Sequence, residues 1–379
     1  MPLYIGLMSG TSLDGIDAAL VEIDDTPSGN RPRLLATHAE PMPASLRERL
    51  WQLCHAEQAY FADLAAAEDA FCRLQAEAVK ALLLLSRTPQ EAIVAVGSHG
   101  QTIEHAPLGH AGGPAYTLQL DNPSLLAELA GLTVVADFRR RDLAAGGQAA
   151  PLAPAFHEAL FRVRKEWRLV LNLGGFANLT LLPPAEDPRA PLGFDSGPAN
   201  ALLDAWHARH RGGEFDADGA WAASGRVDEM LLCRLLAEPF FHLPPPRSTG
   251  RELFHLDWLE AHLTGKERPE DVQATLAELT AESVALAVTM ARERLEAPAA
   301  ARLIPCGGGA HNHDLLARLA NRHPDSAMTD AGASGWPADW LEAGAFAWLA
   351  WRRLQGLPGN LPSVTGAQGP RILGGVYAP

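Results

Sequence analysis

Apolar residues along this chain follow two periods. Short, nearly continuous runs at Leu3–Met8, Ile16–Ile23, Ile93–Val96, Tyr116–Leu120 and Leu132–Val135 read as strands. Between Ala44 and Leu85, Leu and Ala recur at three- and four-residue intervals, which predicts helix. Pro151 and Pro154 precede a charged stretch over 161–168, and a domain boundary is expected there. The pattern then restarts with Leu169–Leu173, the pair Gly174-Gly175 and Phe176–Leu182, which is strand, glycine turn, strand. Helices are expected at Ala199–Arg209, Val227–Ala237, Val272–Leu295 and Asp314–Asn321. A last helix near Ala338–Gln355 follows Trp336-Pro337 and stops before Gly356-Leu357-Pro358-Gly359. The tail from Asn360 reads as an ordered loop or strap. Two halves that each open on strand, turn, strand predict a duplicated α/β architecture with a cleft between the halves. Residues 1–160 with 337–379 form one expected domain, and 161–336 the other.

Length agrees with that division, because 379 residues exceed what one compact core holds. The chain is 47% hydrophobic and 20% charged, an ordinary globular balance. Its formal charge of −14 argues against a nucleic-acid surface or an anionic membrane as partner. An anionic substrate then needs a local basic patch, and Arg139-Arg140-Arg141 supplies one. Cys54, Cys72, Cys233 and Cys306 share no metal-type spacing and read as buried free thiols of a reducing compartment. The start Met-Pro-Leu-Tyr-Ile lacks the basic region of a signal peptide, and no 18-residue apolar run occurs, so a cytoplasmic location is expected.

Candidate chemistry begins in the first turn, Ser9-Gly10-Thr11-Ser12-Leu13-Asp14-Gly15-Ile16-Asp17. Its amides and hydroxyls suit a phosphate, and Asp14 and Asp17 suit a metal ion or its waters. Gly10 and Gly15 imitate the start of a P-loop, but Ile16-Asp17 stands where Lys-Ser/Thr belongs, and a strand follows instead of a helix. An ordinary hairpin turn has the same composition. Gly307-Gly308-Gly309, between a strand and a helix, lets backbone approach a flat or anionic ligand. With Gly174-Gly175, these clusters resemble the two phosphate-facing hairpins and the nucleoside-facing turn of actin/hexokinase/Hsp70-like ATPases. Asp195, before a helix, is either a general base or a helix cap shared with Ser196. Ser98-His99-Gly100-Gln101-Thr102 and Asp137–Asp142 follow strands and offer a polar lining. Phe215-Asp216-Ala217-Asp218-Gly219 lacks the later ligands of a calcium loop and reads as a turn.

Six segments taken in order resemble the anhydro-N-acetylmuramic acid kinase family, bacterial enzymes of peptidoglycan recycling. They are 6–15, 97–102, 135–142, 193–198, 218–225 and 306–310, and they span almost the whole chain. The resemblance implies a two-lobed actin-like (ribonuclease H-like) fold with ATP and the sugar in the interdomain cleft. It also implies Mg²⁺, the substrate 1,6-anhydro-N-acetylmuramic acid, and a homodimer. In the implied reaction water opens the anhydro bridge while O6 receives the γ-phosphoryl group, giving N-acetylmuramic acid 6-phosphate and ADP. Asp195 is then the expected base. Gly10, Thr11, Ser12, Leu13, Asp14, Gly15, Ile16, Asp17, Gly174, Gly175, Gly307, Gly308, Gly309 and Asn312 are expected to face ATP, with Asp14 contacting Mg²⁺. Ser98, His99, Gln101, Asp137, Arg139 and Glu342 are expected to face the sugar. Ala199 stands where the family carries Gly, a change that leaves the acid itself untouched. Two alternatives share the fold: a sugar kinase without ring opening, and a nucleotide-gated assembly protein without catalysis.

Overall fold

The computed structural model describes residues 1–24, 31–56, 58–110 and 112–379. The chain divides into two compact units, Met1–Leu160 with Trp340–Pro379, and Phe161–Asp339. In chain order it begins with β1 (Leu3–Ser9), β2 (Gly15–Glu22), β3 (Arg33–Pro41), α1 (Ala44–His55) and α2 (Phe61–Ser86). Next come β4 (Ile93–Ala106), β5 (Tyr116–Leu120), α3 (Pro123–Ala130), β6 (Val134–Ala136), α4 (Arg140–Leu143) and α5 (Ala153–Phe161). Unit 2 continues with β7 (Arg168–Leu173), β8 (Phe176–Leu182), β9 (Leu192–Pro198), α6 (Asn200–Arg211) and α7 (Ala220–Ser224). It is completed by α8 (Glu229–Leu236), α9 (Leu256–Glu260), α10 (Pro269–Leu295), β10 (Arg302–Cys306) and α11 (His313–Arg322). The chain closes with α12 (Leu341–Leu354), α13 (Pro362–Thr365) and β11 (Gly375–Tyr377).

The first sheet runs β11-β6-β4-β1-β2-β3, with β5 added on β4. β1, β2 and β3 pair antiparallel, while β4 lies parallel to β1 and β6 parallel to β4. The second sheet runs β10-β7-β8-β9, with β7, β8 and β9 antiparallel and β10 parallel to β7. The order β4-β1-β2-β3 is thus repeated as β10-β7-β8-β9, so the duplication holds at the level of topology. In each unit the parallel neighbour brings its C-terminal end beside the hairpin turn, where open α/β sheets gather ligand groups.

Several expected bounds shift. β4 runs on from Val96 to Ala106, so Gly97–Thr102 lies inside a strand instead of after one. Expected strand Leu132–Val135 is Val134–Ala136, and β3 escaped notice because Arg33, His38 and Glu40 interrupt its alternation. The expected helical stretch from Ala44 to Leu85 breaks into α1 and α2, and its residue 57 lies outside the described residues. Neither Asp195 nor Ser196 caps α6: both belong to β9, and Ala199 stands at the cap without a side-chain bond. Part of the tail is strand, with β11 pairing antiparallel to β6. Helix α10 is long and apolar enough to cross a membrane, yet 72% of that window is buried inside the protein, among the side chains of unit 2. Cys72 and Cys306 are buried free thiols, but Cys233 is exposed on α8.

Helix α12 presses its backbone onto the sheet at two glycines. A Cβ on Gly6 would lie 1.8 Å from Ala343 O, and one on Gly97 would lie 2.1 Å from Phe346 O. Side chains at these positions would push helix from sheet. We therefore expect Gly97→Ala to destabilise unit 1 by about 1–3 kcal/mol, as overpacking of a close-packed core does. The loss is read as a lowered midpoint in denaturant unfolding at unchanged slope.

Candidate active site

Unit 1 builds its site around the turn between β1 and β2. Leu13 holds φ 59°, a left-handed conformation costly for a branched side chain, while its side chain is buried in the core. Core burial of Leu13 and Ile16 offsets the strain and leaves Thr11, Ser12 and Asp14 exposed at the tip. Gly10 and Gly15 bracket the tip, and Ser12 Oγ donates to Asp14 Oδ1 at 2.9 Å. Asp17 sits lower, in β2 opposite Met8. The exposed carboxylate of Asp14 suits hydrated Mg²⁺, which takes one or two carboxylates and keeps its waters. Among the described residues no group of three His, Cys, Asp or Glu forms a metal cage.

The polar segment of β4 braces this turn. Ser9 Oγ donates to Gln101 Oε1 at 2.7 Å, and Gln101 Nε2 donates to Gly10 O at 3.2 Å and Thr102 O at 3.3 Å. Both ends of the Gln101 amide are engaged, and the residue is wholly buried. Ser98 is equally buried: its hydroxyl donates to Asp121 Oδ2 and accepts from Gln75 Nε2, each at 2.7 Å. Burial pushes Asp121 up to about 6. Expected as sugar contacts, Ser98 and Gln101 thus fasten the strand and the turn.

His99 faces Arg139, whose Nε and Nη2 both donate to His99 Nε2 at 3.1 and 2.9 Å. Because guanidinium only donates, Nε2 must accept and the imidazole proton sits on Nδ1. Burial first, then the Arg139 charge, holds the ring well below the usual histidine range, so it stays neutral. Arg139 Nη1 donates to Ala149 O at 2.7 Å. Asp142 closes this loop on the C-terminal tail: its carboxylate accepts from Ala149 N–H, Asn360 Nδ2 and Thr365 Oγ1 at 2.6–2.8 Å.

The three-arginine run therefore divides. Arg139 points to His99, while Arg140 and Arg141 line an open basin of about 560 Å³ with Asp137, Arg353 and Ile372. Asp137 sits at φ 58° just past β6, and its carboxylate lies 3.6 Å from Arg140. Glu342 is half-buried in the first turn of α12.

In unit 2 the structure brings the second and third glycine turns together. A Cβ on Gly307, at φ 74°, would meet Asn172 Oδ1 at 2.4 Å and Gly174 N at 3.1 Å. One on Gly309 would lie 2.7 Å from Leu173 Cβ. Gly308 follows within the same short turn. Gly174 O accepts from Asn200 N–H, and Gly175 O from Ala199 and Ala201 N–H, so the hairpin docks on the start of α6. Asn312 caps α11, its Oδ1 accepting from Leu315 N–H at 3.0 Å. Asp216 likewise accepts from Trp221 and Ala222 N–H, which holds the start of α7.

Asp195 lies where β8 and β9 lose register, between Ala177 opposite Gly197 and Asn178 opposite Asp195. The extra residue is Ser196, so Asp195 keeps its place opposite Asn178 at the edge of the bulge. Asp195 Oδ2 accepts from Thr249 N–H at 2.9 Å. Its own N–H donates to Arg247 O at 3.2 Å, and Arg247 Nε donates back to Asp195 O at 2.9 Å. Sequence reasoning passed over Arg247 and Thr249. The one available signal was the polar run Arg247-Ser248-Thr249-Gly250 straight after three prolines.

One pH dependence follows from the imidazoles around Arg139. Burial first, then Arg139, pushes His105 down to about 4. Below pH 6.5 the unfolded chain takes up a proton that folded His105 refuses, so stability present above 6.5 is lost as pH falls toward 4. At 1.36 kcal/mol per unit, and allowing for partial exposure, moving from pH 7 to 5 removes about 1 kcal/mol at this residue. Urea unfolding of His105→Gln at both pH values checks this: its stability falls less than that of the parent.

The sequence model of the anhydro-N-acetylmuramic acid kinase family matches residues 2–379. The chain is 62% identical to the anhydro-N-acetylmuramic acid kinase of Chromohalobacter salexigens over 378 residues, covering 100% of both chains. It is 51% identical to that of Pseudomonas syringae pv. tomato, over 99% of this chain and 98% of the relative. Among solved structures, the activator of the 2-hydroxyisocaproyl-CoA dehydratase from Clostridium difficile aligns with a TM-score of 0.46 at 12% identity. That alignment covers 93% of this chain and 96% of the activator, and likeness this distant carries no argument about chemistry.

Proposed function

This chain belongs to the anhydro-N-acetylmuramic acid kinase family, and from that premise we propose how its residues carry the activity. The enzyme uses water to open the 1,6-anhydro ring of 1,6-anhydro-N-acetylmuramic acid and transfers the γ-phosphoryl group of ATP to O6. Its products are N-acetylmuramic acid 6-phosphate and ADP. The observation supporting the assignment of roles is the carboxylate of Asp195, set at a strand bulge and fixed by Thr249 N–H.

In this reading Asp195 is the general base. Its carboxylate orients a water at the anomeric carbon, on the face opposite O6, and takes a proton as the water oxygen bonds to C1. The C1–O6 bond breaks in the same event. An inverting glycosidase protonates its leaving oxygen with a second acid. Here O6 bonds instead to the γ-phosphorus, ADP departs with the electron pair of the broken P–O bond, and the base later returns its proton to water. One carboxylate therefore suffices.

The phosphoryl half needs positioning and neutralised charge more than covalent help. The amides and hydroxyls of 10–15, with the glycine turns at 174–175 and 307–309, are assigned to ATP. Ile16 and Leu13 serve by backbone alone, since their side chains are core. Asp14 is assigned to Mg²⁺, which when bound neutralises charge on the phosphates. On the sugar side His99, Asp137, Arg139 and Glu342 are assigned contacts, with Arg139 supplying positive charge toward the lactyl carboxylate. Ser98 and Gln101 hold the strand that carries His99. Cytoplasmic location, homodimeric assembly and a place in peptidoglycan recycling complete the proposal.

Two measurements test it. With ¹⁸O-water, ATP, Mg²⁺ and the anhydro-sugar, the product carries the label on the anomeric oxygen; a phosphorylated sugar with its bridge intact would refute coupled ring opening. Asp195→Asn lowers kcat by about 10²–10⁴, the usual worth of a general base, and leaves sugar affinity within a few fold. Normal turnover by this variant would remove Asp195 from the role.

A further inference from the structure

Resting on the reading of Asp195 as base, we infer that Arg247 is its positioning residue: a buried guanidinium that fixes the angle of the Asp195 backbone and hence of the carboxylate. Only 4% of Arg247 is exposed. Among the described residues its bonded groups are main-chain carbonyls, with Met290 Sδ 3.9 Å from Nη1. Nε donates to Asp195 O at 2.9 Å, and Nη1 reaches the carbonyls of Phe240, Phe241 and Leu243 at 2.9–3.0 Å. The Arg247 main chain returns the contact, its carbonyl accepting from Asp195 N–H.

Residue 195 is thereby gripped at both its N–H and its C=O by one amino acid, while Thr249, two positions on, holds Oδ2. The grip falls beside the bulge at Ser196, on the outer strand of the sheet, where Asp195 pairs with Asn178 on one side and Arg247 bonds its main chain. Below the guanidinium lie the faces of Phe194 and Phe240, at 5.1 and 4.8 Å from their centroids. A planar cation suits this sandwich, because its faces stack on rings while its edges donate. Burial pushes the group down to about 10, against the pull of Asp195, so it stays charged at neutral pH.

A buried charge in a shell of carbonyls is an expensive way to hold a loop if only stability is at issue, since apolar packing does that well. What the guanidinium adds is direction, with donors fixed within its plane toward residue 195 and toward the 240–243 turn. Lysine can supply the charge and one donor but not the fork. It is therefore the substitution that separates positioning from bulk structure.

The experiment measures steady-state constants and melting for Arg247→Lys and Arg247→Met beside Asp195→Asn. Expected for Arg247→Lys is a kcat lowered by about 10–100-fold, as a small misplacement of a catalytic group costs, with KM for ATP and sugar within about twofold. Arg247→Met is expected to lose more, with lysine recovering part of the loss. Unchanged kcat in both variants overturns the inference. So does a loss lying wholly in KM, or a Lys variant recovered unfolded, since either makes the residue structural. Full activity of Asp195→Asn would instead overturn the base assignment, whatever the Arg247 variants do.

Discussion

A helix lying on two glycines organises the first unit. Where α12 crosses β1 and β4, Gly6 and Gly97 leave no room for a Cβ, and helix carbonyls rest on the sheet itself. That contact ties a helix near the end of the chain to its first strand. It also fixes the ends of β1 and β4 in depth. The turn at Gly10–Gly15 leaves the end of β1, and the segment Ser98–Gln101 follows Gly97 inside β4. Ser9 and Gln101 then bond across the gap and hold the turn open with Leu13 strained above a buried side chain. The strain is affordable only because the core beneath is rigid.

The second unit solves the same problem with different parts. Its sheet repeats the strand order of the first, but its hairpin turn is only Gly174-Gly175. It is held by carbonyls that accept from the start of α6. Gly307 packs on that turn closely enough that one glycine-lined surface is made from residues over 130 positions apart in sequence. Asp195 and Arg247 come next in the same unit. Asp195 pairs with Asn178 beside the bulge at Ser196, and Arg247 bonds both its N–H and its C=O.

Acidic and basic groups are sorted by whether they are committed. Arg139, Asp142, Ser98 and Gln101 are polar residues of the kind that line ligand sites, yet each is drawn into a hydrogen-bonded network of its own unit. Their effect is to present neighbours: the neutral His99 ring, the tail and the opening turn. Asp14, Asp137, Arg140 and Arg141 stay exposed at the surface. In a chain of net charge −14, the basin lined by Arg140, Arg141 and Arg353 is a local reversal of sign.

By itself the sequence determined the strand–turn–strand repeat, the glycine clusters, the acid at 195 and the family, because apolar periodicity and local turn chemistry are written in neighbouring residues. It also determined that no P-loop lysine follows the first turn. Only tertiary structure decided that Asp195 belongs to a strand and not to a helix cap. The choice depends on pairing with β8 and on a bulge that no local pattern encodes. Ser98 and Gln101 became braces for the same reason: their partners Asp121 and Ser9 lie 23 and 92 residues away. Arg247 was invisible for a related one. A guanidinium whose acceptors are backbone carbonyls leaves no pairing signature in sequence, since every residue has a carbonyl and only the fold says which ones face it.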